Sequence, residues 1–237
     1  MLGTDLMQES LTGPFYWIFN ANLIYPVSTQ ILTAIVWFLA AYTLGSIPVA
    51  WLLTKWITRS DLRQLGSGNI GVMNTAINVA RWAGILVFIA EIVKGILAVS
   101  IPEYLHASEP IICLSIVGVV SGIRWPVWLD FKGGRGNTAG FAGLLLIAYP
   151  APVIYLAIWI LTRMLVKTSF MATRLSIISL PLVLWFSTHS IWMALTGLIL
   201  TLFYLDAQHR ESDDHLLLKE AYPSFWEFLI SPPRRRY

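Results

Sequence analysis

Long apolar runs alternate with short polar connections along most of the chain. Seven runs stand out, over residues 31–54, 83–101, 110–128, 138–149, 151–166, 174–187 and 190–206. Inside a bilayer, backbone N–H and C=O groups must bond to one another, so such runs predict helices. Several are shorter than the ~20 residues of a straight crossing. The separators of the later runs are thin, being only Tyr149-Pro150 and Ser187-Thr188-His189. Fusing the fourth and fifth runs would leave six crossings, and the charges decide between the two counts.

Lysine and arginine are absent before Lys55. They then cluster at Lys55, Arg59, Arg63 and Arg81, at Arg124, Lys132 and Arg135, at Arg163, Lys167 and Arg174, and at Arg210, Lys219 and Arg234–Arg236. The links Pro102–Glu109, Tyr149–Pro150 and Ser187–His189 carry neither residue. Only seven crossings put every basic cluster on one side, which the positive-inside rule makes cytoplasmic. The expected fold is therefore all-α, a polytopic helical membrane protein with seven transmembrane helices, an external N-terminus and a cytoplasmic C-terminus. Residues 1–30 lack the basic start of a secretory signal and read as an external interfacial extension. Residues 31–209 form the membrane domain, and 210–237 form a cytoplasmic basic tail drawn to anionic lipid.

Composition agrees. Of 237 residues, 57% are hydrophobic and 12% charged, against about 25% charged in a soluble domain. The net charge of +3 lies in loops beside the membrane and forms no nucleic-acid surface. Cys113 is the single cysteine, and the histidines at 106, 189, 209 and 215 lack ligand spacing, so disulfides and a metal site are not expected.

The informative polar residues fall on the basic side. In "DLRQLGSGNIGVMNTAINVAR", Asp61 to Arg81, Gly66 and Gly68 permit left-handed turns, and Ser67, Asn69 and Asn74 supply hydroxyl and amide groups. The segment could form an anion nest, or a turn whose asparagines cap the next helix. In "EIVKG", Glu91 and Lys94 share a helix face, too costly to turn toward lipid. They form an internal ion pair, a polar cavity, or both. In "FKGGRGNTAG", Lys132 and Arg135 bracket Gly133 and Gly134, and Gly136 precedes a helix start. That pattern suits either a basic cytoplasmic turn or a phosphate cradle. Ser169 lies beside Lys167 in the third basic connection, and His209 follows the last run.

These segments resemble, in order and over about residues 40 to 215, the acyl-phosphate-dependent glycerol-3-phosphate acyltransferases of bacterial membranes. The likeness rests on "GSIP", "DLRQLGSGNIGVMN", "EIVKG", "WPVWLDFKGGRG" and "HRE". It implies transfer of an acyl chain from acyl phosphate to the 1-hydroxyl of glycerol 3-phosphate, giving lysophosphatidic acid in the bacterial inner membrane without a cofactor. Ser67, Asn69 and His209 would act on the reacting groups. Asn74, Arg81, Lys94, Lys132, Arg135 and Ser169 would hold phosphate, supported by Glu91, Gly66, Gly68, Gly133, Gly134 and Gly136. The partners implied are the two substrates and membrane lipids, met by a monomer. Members usually carry histidine where this chain has Ile123, "GGKGVAT" where it has "GGRGNTA", aspartate at Glu91 and asparagine at Ser212. The alternatives are a membrane acyltransferase with another acceptor or donor, or a non-enzymatic lipid- or anion-binding protein.

Overall fold

The computed structural model describes residues 27–166, 169–208, 222, 227 and 228, except for the side chain of Ser169. Most of the N-terminal extension, Lys167, His209 and most of the basic tail therefore lie outside the described residues. All regular structure among the described residues is helical. The order is α1 (Val27–Ser46), α2 (Val49–Thr58), a short α3 (Val72–Asn78), α4 (Arg81–Tyr104), α5 (Glu109–Arg124), α6 (Asn137–Ile147), α7 (Pro150–Leu165), α8 (Ser169–Thr188) and α9 (Ile191–Ala207). Two 3-10 turns, Leu62–Gln64 and Val127–Leu129, sit in the connections that follow α2 and α5. Four helical runs, Val27–Thr58, Arg81–Tyr104, Glu109–Leu129 and Phe170–Thr188, are long and apolar enough to cross a membrane. The shorter apolar helices are α6, α7 and α9.

Apolar side chains are plentiful on the outside, among them Ile31, Leu32, Ile35 and Val36 on α1 and Ile85, Leu86, Phe88 and Ile89 on α4. A perimeter of this kind suits hydrocarbon, which removes the hydrophobic force between helices and leaves close packing to hold them. The innermost helix is α5, which packs against α1, α4, α6 and α9. Its Gly118 and Gly122 bring it against the carbonyls of Phe38 and Tyr42, and Gly45 of α1 abuts Val119 in return. Tyr42 then ties α1 to the end of α5 by donating to the carbonyl of Trp125 at 2.6 Å.

The structure departs from the expected elements at two places. The run 31–54 is not one helix: it breaks at Ile47-Pro48, between α1 and α2. Proline has no N–H to continue the ladder, and the carbonyls of Gly45 and Ile47 turn to a side-chain donor instead. The second departure is α8, which begins at Ser169 rather than near 174. Its polar first turns are held from the side, by Trp159 Nε1 donating to Thr173 Oγ1 at 3.0 Å and by Arg174 lying 5.4 Å over the Phe170 ring.

Candidate functional site

The loop from Asp61 to Gly71 is built around Asn74, which is wholly buried in α3. Its Nδ2 donates to the carbonyls of Asn69 (2.9 Å), Leu65 (3.0 Å) and, more weakly, Leu62 (3.4 Å). Its Oδ1 accepts from Asn78 Nδ2 at 2.8 Å and from the amide of Ser67 at 3.3 Å. Gly66 is left-handed at φ +55°, and a side chain there would collide with the amides of Asn74 and Asn78. Gly68 is also left-handed, at φ +70°. The loop's entry is fixed by Asp61, which accepts from the amide of Arg63 and from its guanidinium at 2.7 to 3.1 Å. The guanidinium hydrogen bond is the main cause of the Asp61 carboxyl's fall from 3.8 to about 2. Ser67 and Asn69 remain half-buried at the loop's crest, with the Asn69 amide donating to Ser67 Oγ at 3.3 Å. Asn74 thus holds the loop from inside, as the turn reading expects.

Lys94 is likewise held by contacts within the protein. Its side chain is 6% exposed, and its Nζ donates to the carbonyl of Ile47 at 2.7 Å, to that of Gly45 at 3.4 Å, and to Glu91 Oε1 at 2.7 Å. An ammonium has three hydrogens, and all three are directed at the helix break and its own neighbour. Here Lys94 latches α4 to the junction of α1 and α2, and it lines a small pocket of about 10 Å³ with Glu91, Ile123, Gly133 and Gly134.

The second motif loop runs from Trp125 to Gly136. The amides of Gly133 and Gly134 donate to the carbonyls of Arg124 (3.1 Å) and Ile123 (2.9 Å), so they do not form the expected anion cradle. The lack of a side chain on Gly134 lets the turn press on the carbonyl of Ile70, bringing the two motif loops together. Arg63 Nη1 adds a bond to the carbonyl of Leu129 at 3.4 Å. Asp130 and Phe131 are successive non-glycine residues with positive φ, 54° and 59°, a strained pair of the kind that concentrates at functional turns. Lys132 follows, exposed. Gly136, at φ +75°, caps α6 without a side-chain bond. Amides of a first helical turn have no partner within their own helix, and these lie beside Arg135.

Arg135 and Asn137 line a polar cavity of about 70 Å³ with Phe170, Thr173, Tyr204 and Gln208. The cavity gathers the start of α6, the start of α8 and the end of α9. Phe170 follows Ser169, and Gln208 precedes His209, so two expected site residues are chain neighbours of the lining. Of the expected catalytic and phosphate-binding residues whose side chains are described, Arg135 lines this cavity, and Ser67, Asn69, Asn74, Arg81, Lys94 and Lys132 do not. A larger apolar cavity of about 500 Å³, lined by Ile92, Ile96, Phe141, Leu145, Tyr155 and Leu180 among others, shares Asn137 and Tyr204 with the polar one. Sequence reasoning missed Tyr204 and the tail aromatics. Tyr204 lies in an apolar run where an aromatic reads as packing, and no spacing marks it. Tyr222 and Phe228 stack edge-on, with ring centres 5.3 Å apart, and pack with Ala76 and Ile77 of α3. The Arg81 guanidinium sits over the Phe228 ring, also at 5.3 Å.

Comparison with known proteins bears on this architecture. The family model described as glycerol-3-phosphate acyltransferase matches residues 35–219. The chain is similar to glycerol-3-phosphate acyltransferase 1 of Dehalococcoides mccartyi, with 36% identity over 171 residues, 69% of this chain and 82% of that one. It is also similar to the glycerol-3-phosphate acyltransferase of Bartonella quintana, with 30% identity over 190 residues, 78% of this chain and 89% of the relative. Among solved structures, the glycerol 3-phosphate form of PlsY, an integral membrane glycerol 3-phosphate acyltransferase, superposes with a TM-score of 0.66. That likeness is at 24% identity and covers 78% of this chain and 92% of the other, which establishes the shared fold.

Proposed function

The chain belongs to the glycerol-3-phosphate acyltransferase family, and from that membership we propose that it transfers the acyl chain of an acyl phosphate to the 1-hydroxyl of glycerol 3-phosphate. The observation that carries the reading is the meeting of the two cavities at Asn137 and Tyr204. A polar compartment with Arg135 and a helix start suits phosphate. The apolar compartment, lined from α4, α6, α7, α8 and α9, suits an acyl chain. An amphiphile with a phosphorylated head spans the junction with its carbonyl near the middle. The product is lysophosphatidic acid.

The chemistry asks mostly for proximity and charge. The acceptor hydroxyl attacks the acyl carbon, the tetrahedral oxyanion collapses, and phosphate leaves with the hydroxyl's proton. Ile123 brings no ionisable group to that proton transfer, so the departing phosphate takes it. Ser67, Asn69 and His209 align the reacting groups in this reading, while Arg81, Lys132, Arg135 and Ser169 meet phosphate oxygens. The seven apolar runs are read as seven crossings, the motif loops facing the cytoplasm of a bacterial inner membrane and the protein acting as a monomer. The one-sided placement of lysine and arginine supports this orientation.

The test is glycerol-3-phosphate-dependent consumption of palmitoyl phosphate by purified protein in lipid, with Arg135→Ala as its pair. We expect turnover by the wild type and a loss on the order of 100-fold in the variant, as for other charge-stabilising groups at acyl-transfer sites. Folded wild-type protein without turnover refutes the reading.

A further inference from the structure

We propose that Tyr204 is a catalytic hydrogen-bond donor to the acyl carbonyl oxygen, a role that rests on the acyltransferase reading above. Tyr204 is 8% exposed near the end of α9. Its hydroxyl reaches across to α6 over Gly140, where a side chain would occupy the same space. Gly140 is one turn beyond Asn137, on the same face of α6. Tyr204 and Asn137 are the residues common to the polar and the apolar cavity.

Among the described residues, the enclosed hydroxyls without a partner are those of Ser46 and Ser115, and most other buried hydroxyls are bonded. The hydroxyls of Ser121, Ser176, Thr196 and Thr201 are each bonded to a backbone carbonyl within 3 Å. Among the described residues, the Tyr204 hydroxyl makes no hydrogen bond. Its oxygen is not among the enclosed polar atoms that lack a partner, so it opens onto the cavities that Tyr204 lines and can meet an acceptor there. Phenylalanine would fill the same wall without offering a donor. An acyl phosphate with its phosphate beside Arg135 and its chain among Phe141, Leu145 and Leu180 brings its carbonyl oxygen to this boundary.

Tyrosine is a neutral donor there, and its bond strengthens as charge gathers on the oxygen. The acceptor's hydroxyl oxygen forms a bond to the acyl carbon, and the C=O π pair moves onto the carbonyl oxygen beneath the Tyr204 hydroxyl. The pair returns as the bond to the phosphate oxygen breaks. The acceptor's proton goes to the phosphate. Tyr204 keeps its own proton, and no other reactant is needed.

The experiment compares wild type with Tyr204→Phe in lipid, using palmitoyl phosphate and glycerol 3-phosphate, and follows thermal unfolding of both. Removal of one oxyanion donor commonly lowers turnover by on the order of 10²–10³-fold. We expect kcat to fall at least about tenfold, the KM for glycerol 3-phosphate to stay within about twofold, and the unfolding midpoint to hold. A kcat within about twofold of wild type overturns the role of Tyr204 and leaves the acyltransferase reading intact. A loss accompanied by a lowered midpoint and a raised KM for both substrates overturns it too, since packing would then explain the effect. A wild type inactive with these substrates refutes both.

Discussion

Lys94 donates to groups of the protein beside a pocket of about 10 Å³, whereas Arg135 lines a polar cavity of about 70 Å³. Both regions hold a basic residue followed by glycine, and both lie within or beside apolar helices. The Lys94 ammonium is enclosed by two carbonyls and a carboxylate, all from the protein. Arg135 lines a cavity walled by Asn137, Thr173, Tyr204 and Gln208. In a membrane protein a buried charge is thus not by itself a sign of a ligand. A helix broken at a proline liberates carbonyls that need a donor as much as phosphate does, and a lysine one helix away meets that need.

Lys94→Ala is the sharpest way to break this comparison. It removes the donor to the Ile47 and Gly45 carbonyls and leaves Glu91, whose side chain is 12% exposed, without its cation. Losing one partner of a buried pair costs about 3–5 kcal/mol, so we expect a lowered unfolding midpoint in lipid. Lys94→Met combined with Glu91→Gln should recover part of the loss, because no uncompensated charge remains. Arg135→Ala should lower turnover, with a smaller fall in the midpoint than Lys94→Ala. An unmoved midpoint in Lys94→Ala, with substrate binding abolished, would return Lys94 to the phosphate site.

The same contrast explains how far the sequence could be read. Apolar runs and basic clusters lie in the residue order itself; four of the seven runs fall in helical segments long enough to cross a membrane and three in shorter helices. The early start of α8 was hidden because Phe170, Thr173 and Arg174 look like loop residues until Trp159 and the stacked ring are seen beside them. The motif residues were legible as important without their roles. Asn74 and Lys94 are donors in either reading, and only the carbonyls of Leu65, Asn69 and Ile47 show which acceptor they serve. Tyr204 was illegible, because its meaning comes from Gly140 on another helix.

A smaller effect tests whether the Asp61 pair with Arg63 supports the fold as the Lys94 contacts do. The Asp61 carboxyl is depressed in the folded state to about 2, from an ordinary 3.8. A depressed carboxyl stabilises the fold above its unfolded value and loses that contribution as pH falls toward the folded value. The wild type should therefore hold this part of its stability down to about pH 4 and shed it between about pH 4 and 2. Asp61→Asn should have a slightly lower midpoint at neutral pH and lack that share of the acid decline. An identical acid profile in the two proteins would show that the pair with Arg63 contributes nothing measurable.

The smallest expected effect sits where the two regions meet a third. Arg81 belongs to the motif loops, yet the ring it lies against, Phe228, is beyond the residues 35–219 that match the family. Tyr222 and Phe228 also cover Ala76 and Ile77 of α3, the helix that carries Asn74. The tail thus buttresses both the guanidinium and the helix that shapes the first loop. A cation over an aromatic face is worth about 0.5–1 kcal/mol at partly exposed sites, equivalent to about a two- to fivefold change in a binding constant. Phe228→Leu keeps apolar volume and removes the ring's negative face, so the KM for glycerol 3-phosphate should rise by about that factor with kcat little changed. Phe228→Tyr keeps the face and should restore it. Equal KM values for leucine and tyrosine would mean that the ring only packs on α3, and that Arg81 is positioned without help from the tail.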